Sequence, residues 1–319
     1  MPRRVRRLLV LACVVVLGIG VVVALTTAGE PAEDDASKNS PTPSAQADRG
    51  RPLIGPASGK ALHVMSFNLR FAAARDSQPW SKRRPVTAEL LRREQPTIIG
   101  TQEGLWRQLR DIDHDLPAYY EWIGEGRKGG SEDEYMAIYF DSRRLDPLEY
   151  DHFWLSDTPD VIGSNTWGAD YIRMVTWVRF HDRTTGGELV VLNTHLDDES
   201  AYARERSAEL IRDRLGEFPS KTPVIVTGDF NIGAGDSAPF ETLTQDAGMT
   251  DTWTAAKSRR SPVYHTWHGY RGLQPGGTRV DWILTRGATS VAAAALNTFA
   301  VNGQYPSDHL PVQALLTLP

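Results

Sequence analysis

After residue 60 the chain is dominated by short runs in which apolar and polar positions alternate, and these predict strands. Leu62–Asn68 (LHVMSFN) is the first. Pro85 opens a predicted helix with Val86, Leu90 and Leu91 on one face, ending near Gln95-Pro96, and Thr97–Gln102 (TIIGTQ) reads as a short buried strand. Met136–Phe140, Leu145–Leu155 and Arg173–His181 read as antiparallel strands separated by Gly, Asp and Pro turns. Glu188–His195 (ELVVLNTH) follows the hairpin-like Thr185-Gly186-Gly187, and Ala203, Ser207, Ile211 and Leu215 recur at helical spacing. Pro223–Thr227 (PVIVT) is a central-looking strand that runs into Gly228-Asp229-Phe230-Asn231, and Arg279–Leu284 and Leu310–Leu316 supply the last two. Many short strands with few interleaved helices point to two packed mixed sheets covered by helices rather than a doubly wound parallel sheet.

The first sixty residues follow no such pattern. Arg3, Arg4, Arg6 and Arg7 precede an uncharged apolar run from Leu8 to Leu25, about long enough to span a membrane. Positive charge before the run predicts export of everything beyond about residue 28. The leader is expected to be an uncleaved anchor through residues 8–25 or a cleaved signal peptide. Cys13 only faintly resembles a lipidation site. Residues 29–60 contain 18 Pro, Ser, Gly or Ala and no aromatic residue, which predicts a flexible tether. The expected folded domain is therefore 61–319.

Composition narrows the chemistry. The net charge is −5, and 61–319 carries 27 basic against 35 acidic residues, which argues against non-specific tracking along nucleic acid. Cys13 is the only cysteine, so no disulfide framework, zinc finger or cysteine nucleophile is available downstream. No Walker A or H-E-x-x-H motif occurs. Gly235-Asp236-Ser237 superficially resembles a serine-hydrolase block, but it lies late in the chain and no G-x-S-x-G accompanies it.

Polar residues gather at predicted strand ends, where loops can present them over a rigid sheet: Asn68, Glu103, Tyr135, Asn193, His195, Asp229, Asn231, Asp281, Asp308 and His309. Each has a plain alternative. Glu103 could cap the helix beginning near Gly104, and Asp281, between Val280 and Trp282, could face solvent or a polar cleft. Together they are the parts of a phosphoester hydrolase. Hard oxygen ligands suit Mg²⁺ or Mn²⁺, and carboxylates and histidines can activate water and hold phosphoryl oxygens.

Six blocks then resemble one family. Met65-Ser66-Phe67-Asn68-Leu69-Arg70, Thr101-Gln102-Glu103, Asn193-Thr194-His195-Leu196-Asp197, Gly228-Asp229-Phe230-Asn231, Arg279-Val280-Asp281-Trp282 and Ser307-Asp308-His309-Leu310-Pro311 resemble, in order, those of the endonuclease/exonuclease/phosphatase (DNase I-like) family. Phe153–Pro159 and Thr266–Tyr270 look like segments of its bacterial, CCR4-like branch. The resemblance implies a four-layer α/β/β/α sandwich with two central mixed β-sheets.

It also implies roles. Glu103 looks like the main metal-binding carboxylate, with Asn68 and Asp308 beside it, for Mg²⁺ or Mn²⁺. Asp229 matches the aspartate that activates water or holds a second metal, and Asn231 the amide that donates to phosphate. His195 and His309 look like the histidines on the scissile phosphate, with Asp281 orienting His309. Tyr135 and Asn193 match phosphate or transition-state donors less securely. Arg173 could bind substrate phosphate or be a surface arginine, and His265 and His268 could touch substrate or pack locally. Gly233 stands where inositol-polyphosphate 5-phosphatases usually have arginine, so that subclass is disfavoured. The substrates left open are small phosphoesters, lipid headgroups, envelope phosphodiesters and nucleic acid; no obligate protein partner is inferable. A catalytically silent, membrane-tethered binding domain on the same fold is the alternative.

Overall fold

The computed structural model describes residues 51–288 and 290–319. The expected leader, membrane span and most of the tether lie outside the described residues. Among the described residues no helix is long and apolar enough to cross a membrane.

Two large mixed sheets form the centre. The first runs, edge to edge, through Ser258–Arg259, Ser290–Leu296, Val312–Thr317, Ala61–Asn68, Ile98–Gln102, Ile138–Asp141 and Tyr120–Ile123. The second runs through Thr250–Asp251, Asp281–Arg286, Val224–Asp229, Glu188–His195, Met174–Asp182 and Leu145–Trp154. Both are mixed: Ala61–Asn68 pairs parallel with Ile98–Gln102 and antiparallel with Val312–Thr317, and Val224–Asp229 pairs parallel with Glu188–His195 and antiparallel with Asp281–Arg286.

Alternation divides each strand between two cores. Leu62, Val64 and Ile98 of the first sheet pack with Val191, Ile225 and Ile283 of the second. The intervening Met65, Phe67 and Ile99 turn outward onto the helices Trp80–Glu94 and Trp106–Asp115 through Leu90, Leu91, Leu109 and Ile112. On the far side Val190, Leu192, Val224 and Val226 meet Ala203, Ala208, Ile211 and Leu215 of the helix Ala201–Glu217. The order helix, sheet, sheet, helix is the expected four-layer sandwich.

The sheets come unusually close at Gly100, where a Cβ would lie 2.0 Å from Thr227 Oγ1 and 2.7 Å from Asn193 Oδ1. Asn193 bridges the seam there, accepting from Gln102 Nε2 (2.7 Å) and donating to the carbonyls of Thr101 and Ala137 (2.8 and 3.0 Å).

Three local expectations change. The first helix begins at Trp80, so Pro85 lies inside it rather than at its start. Its missing N–H falls in the second turn, while Val86, Leu90 and Leu91 still face the core. The alanine-rich Ser290–Leu296 is a strand, held by pairing to Val312–Thr317 in spite of its low β-propensity. Within the expected tether, the amides of Leu53, Ile54 and Gly55 donate to the buried carboxylate of Glu94, so this stretch is docked on the domain.

Candidate active site

The same alternation that fills the inter-sheet core also carries its polar end. Asn68 shares strand parity with Leu62 and Val64, His195 with Leu189 and Val191, Asp229 with Ile225, and Asp281 with Ile283. Register closes the set: Asp229 lies opposite Asp281 in one pairing and beside His195 in the other. Trp282 takes the outer face, stacking on Phe230 at 4.1 Å and donating to the Arg279 carbonyl, which leaves Asp281 facing inward. Asp281 therefore faces the interior behind His309, not solvent.

Glu103 follows directly on Ile98–Gln102 with φ of 61°, and Asn231 and Arg70 have φ of 51° and 56°. Left-handed backbone at a glutamate and an arginine costs about 1–3 kcal/mol each and concentrates where geometry is functional. The Asn68 Nδ2 group donates both to Glu103 Oε1 (2.7 Å) and to Asp229 Oδ2 (2.9 Å), clamping carboxylates from the two sheets. The Phe71 amide holds Glu103 Oε2, and the Asn231 amide holds Asp229 Oδ1. Nε2 of His195 and of His309 each lie 3.6 Å from Asp229 Oδ2. His309 Nδ1 faces both oxygens of Asp281 at 3.0 and 3.2 Å. These groups open into a cleft of about 910 Å³.

Electrostatics separates the two histidines. Burial disfavours charge on His309, but Asp281 and Asp229 outweigh it and hold its pKa well above the ordinary value. His195 is driven well below it by burial, with Arg173, Arg127 and His309 adding positive charge. Burial, then the neighbouring Asp281, pushes Asp229 up to about 7.

Glu103, Asp229 and His309 each offer a ligand atom within 4.8 Å of the others. The carboxylates of this set, Glu103 and Asp229 clamped on one Asn68 amide, suit Mg²⁺ or Mn²⁺, whereas His309, held charged by Asp281, has no lone pair left to ligate.

Of the three metal ligands expected from sequence, only Glu103 belongs to it. Asn68 presents its NH₂ to the carboxylates and spends its oxygen on the Arg70 amide. Asp308 lines the cleft but is paired with Arg70, which in turn holds Asp76. His195, Asp229, Asn231, Asp281 and His309 converge as expected. Asn193 does not: it is wholly buried in the seam between the sheets. Tyr135 gives its hydroxyl to the Gly130 carbonyl, with its ring against Trp106 and Trp122. His268 is buried against Tyr305, and the neighbouring Trp267 lines the cleft instead. Arg173 lines the cleft but is buried and bound to Asp198 at 2.6 Å. Ser237 donates to the Gly233 carbonyl and does not line the cleft.

Sequence reasoning missed Arg127 and Glu134, which pair at 2.7 Å in the cleft wall beside His195. Their signal was the glycine-studded charged hairpin Gly124–Glu134, longer and more charged than a simple turn requires.

Comparison with known proteins agrees with the geometry. A structure from Bacteroides vulgatus described as an endonuclease/exonuclease/phosphatase is 30% identical, with a TM-score of 0.76 over 81% of this chain and 99% of that one. A mannosyl-6-phosphatase from Bacteroides thetaiotaomicron is 30% identical, with a TM-score of 0.74 over 81% and 100%. Protein angel of Drosophila melanogaster is 26% identical over 75% of this chain and 72% of its own length. Residues 65–309 match the sequence profile of the Endonuclease/Exonuclease/phosphatase family. The chain belongs to that family.

Proposed function

We propose that the protein is a divalent-metal-dependent phosphoesterase that hydrolyses a small phosphoester, a sugar phosphate before a polynucleotide. The observation that carries the reaction type is the meeting of Glu103, Asp229, His195 and His309 at one Asn68 clamp, with Asp281 behind His309. Mg²⁺ or Mn²⁺ would be held by Glu103 and would supply charge neutralisation at the phosphoryl group. Asp229, with its pKa near neutrality, takes a proton from the attacking water. Charged His309, oriented by Asp281, donates from Nε2 to a non-bridging oxygen, and His195 and Asn231, lining the same cleft, offer further donors.

Charge and shape support a small substrate. Every cation in the cleft wall is matched: Arg127 by Glu134, Lys128 by Asp133, Arg173 by Asp198. Such a wall gives a polyanion little to bind. Phe71, Tyr171 and Trp267 line the cleft with exposed rings, flat surfaces suited to a sugar. The 30% identity to a mannosyl-6-phosphatase points the same way. The arginine-led apolar run at residues 8–25 supports a domain anchored to, or exported across, the cytoplasmic membrane.

The test is hydrolysis by the full chain across sugar phosphates, phospholipids, DNA and RNA with Mg²⁺. Activity should vanish with EDTA and return with Mg²⁺ or Mn²⁺, and Asp229→Asn should lower it by about 10²-fold or more. Wild-type turnover by that variant, or turnover in EDTA, overturns the proposal.

A further inference from the structure

The two histidines of the cleft are held by groups of opposite kind. Behind His309 stands a carboxylate, which can only accept. Behind His195 stands a guanidinium: Arg127 Nη2 lies 3.2 Å from Nδ1. Guanidinium has five N–H donors, no acceptor, and keeps its charge in proteins. The contact is a hydrogen bond when Nδ1 is bare, and the one proton of a neutral imidazole then sits on Nε2, the atom facing Asp229.

We infer that Arg127 is a positioning residue that fixes His195 as the neutral Nε2–H tautomer, so that it donates to a phosphoryl oxygen of the substrate. This rests on reading the cleft as a phosphoesterase site. The cleft then contains a division of labour set by the two orienting groups: a charged imidazolium backed by Asp281, and a neutral imidazole backed by Arg127.

Arg127 is held firmly enough for the task. It is 2% exposed, and its guanidinium is paired with Glu134 at 2.7 Å. Its amide donates to the Glu134 carbonyl, and its own carbonyl accepts from Trp154 Nε1 at 2.6 Å. Gly126 permits the tight turn before it, since a Cβ there would lie 2.0 Å from the Glu132 carbonyl oxygen.

The assignment has a consequence at Asn231. Its Nδ2 lies 2.9 Å from His195 Nε2 and also donates to the Leu196 carbonyl at 3.0 Å. Both nitrogens of His195 therefore face donors, and a neutral ring can accept at only one of them. A charge-assisted bond is roughly twice as strong as a neutral one, so Arg127 takes Nδ1 and Asn231 is left opposing an N–H. Turning the amide over would set its oxygen against Leu196. The His195 Nε2–H and one Asn231 N–H thus face each other without an acceptor between them, at the position where an oxygen-rich anion would enter. Bound phosphate, with several lone pairs to offer both groups, removes the conflict.

The tautomer can be read without turnover. Full-length protein with ¹⁵N-labelled histidine is examined by long-range ¹H–¹⁵N NMR, the His195 signals being assigned by their loss in His195→Gln. The expected result is a bare Nδ1 and a protonated Nε2 in the wild type and in Arg127→Lys, which keeps a cationic donor. Arg127→Met should give a mixture of tautomers and a kcat lowered by about 10-fold or more on the best substrate of the hydrolysis panel. If that variant does not fold, the wild type and Glu134→Gln decide: Nε2–H in both supports the inference. A protonated Nδ1 in either, or an unmixed Nε2–H tautomer in folded Arg127→Met, overturns it. A protein that shows the tautomer but hydrolyses no phosphoester overturns the proposed function alone, and one that hydrolyses with the opposite tautomer overturns this inference alone.

Discussion

Replacing Glu94 by glutamine isolates the tie between the docked segment Leu53–Gly55 and the domain. Glu94 is 3% exposed and its carboxylate gathers five donors. Oε1 accepts from the Leu53 amide (2.8 Å) and Asn297 Nδ2 (3.0 Å). Oε2 accepts from the amides of Ile54 (3.2 Å) and Gly55 (3.0 Å) and from Gln313 Nε2 (2.9 Å). Glu94→Gln keeps the shape but turns one oxygen into NH₂. Whichever way the amide points, two or three buried N–H groups then oppose a donor, and the others lose their charged acceptor. At about 1–3 kcal/mol for each buried donor left unpaired, two such groups cost about 2–6 kcal/mol. That is a large part of the ~5–15 kcal/mol that holds a domain folded. Urea unfolding of the full chain, followed by tryptophan fluorescence, should show the midpoint falling by that equivalent, with new protease cleavage within 51–60 below the transition. A variant within about 0.5 kcal/mol of wild type, with 51–60 still protected, refutes the reasoning.

Other outcomes follow from the same geometry. Asp281→Asn removes a charge-assisted bond to His309 worth about 1.5–3 kcal/mol, so kcat should fall roughly 10- to 10²-fold, and unchanged kcat in steady-state assays would count against the orienting role. Gly100→Ala puts a methyl into the seam beside Thr227 and Asn193 and should cost about 1–3 kcal/mol in urea unfolding; a neutral result would mean the sheets can part locally. Burial lowers His63 from 6.5 to about 4 against the opposing pull of Glu94. Between those values the unfolded chain binds the proton and the folded one does not, so about 3 kcal/mol present above pH 6.5 is lost as pH falls to 4. His63→Asn should flatten the pH dependence of stability across that window, and an unchanged slope would exclude His63 as its source.

Much of this was legible because strand alternation is strict. Once Leu62–Asn68, Glu188–His195 and Pro223–Thr227 are read as strands, parity alone places Asn68, His195 and Asp229 with the inward apolar residues. What parity cannot supply is the partner. Asn193 has the right parity and residue type, yet it lies two residues back from the strand end, where the sheets still touch, and so it cross-links them instead of meeting substrate. Asp281 sits between two apolar neighbours, and only the burial of Trp282 against Phe230 on the other face fixes its direction. Ser290–Leu296 was invisible because alanine carries no strand signal, and its pairing with Val312–Thr317 is non-local. Arg127 was hidden for a related reason. Its role depends on a ring 68 residues away.

Asn68 joins a carboxylate of one sheet to a carboxylate of the other. Chemical competence is therefore a property of the assembled sandwich, and neither half of the molecule can possess a weaker version of it. A partly folded chain carrying only one organised sheet has no graded residual turnover to lose. Loss of hydrolysis should then sense the earliest loosening between the halves, before the helices melt.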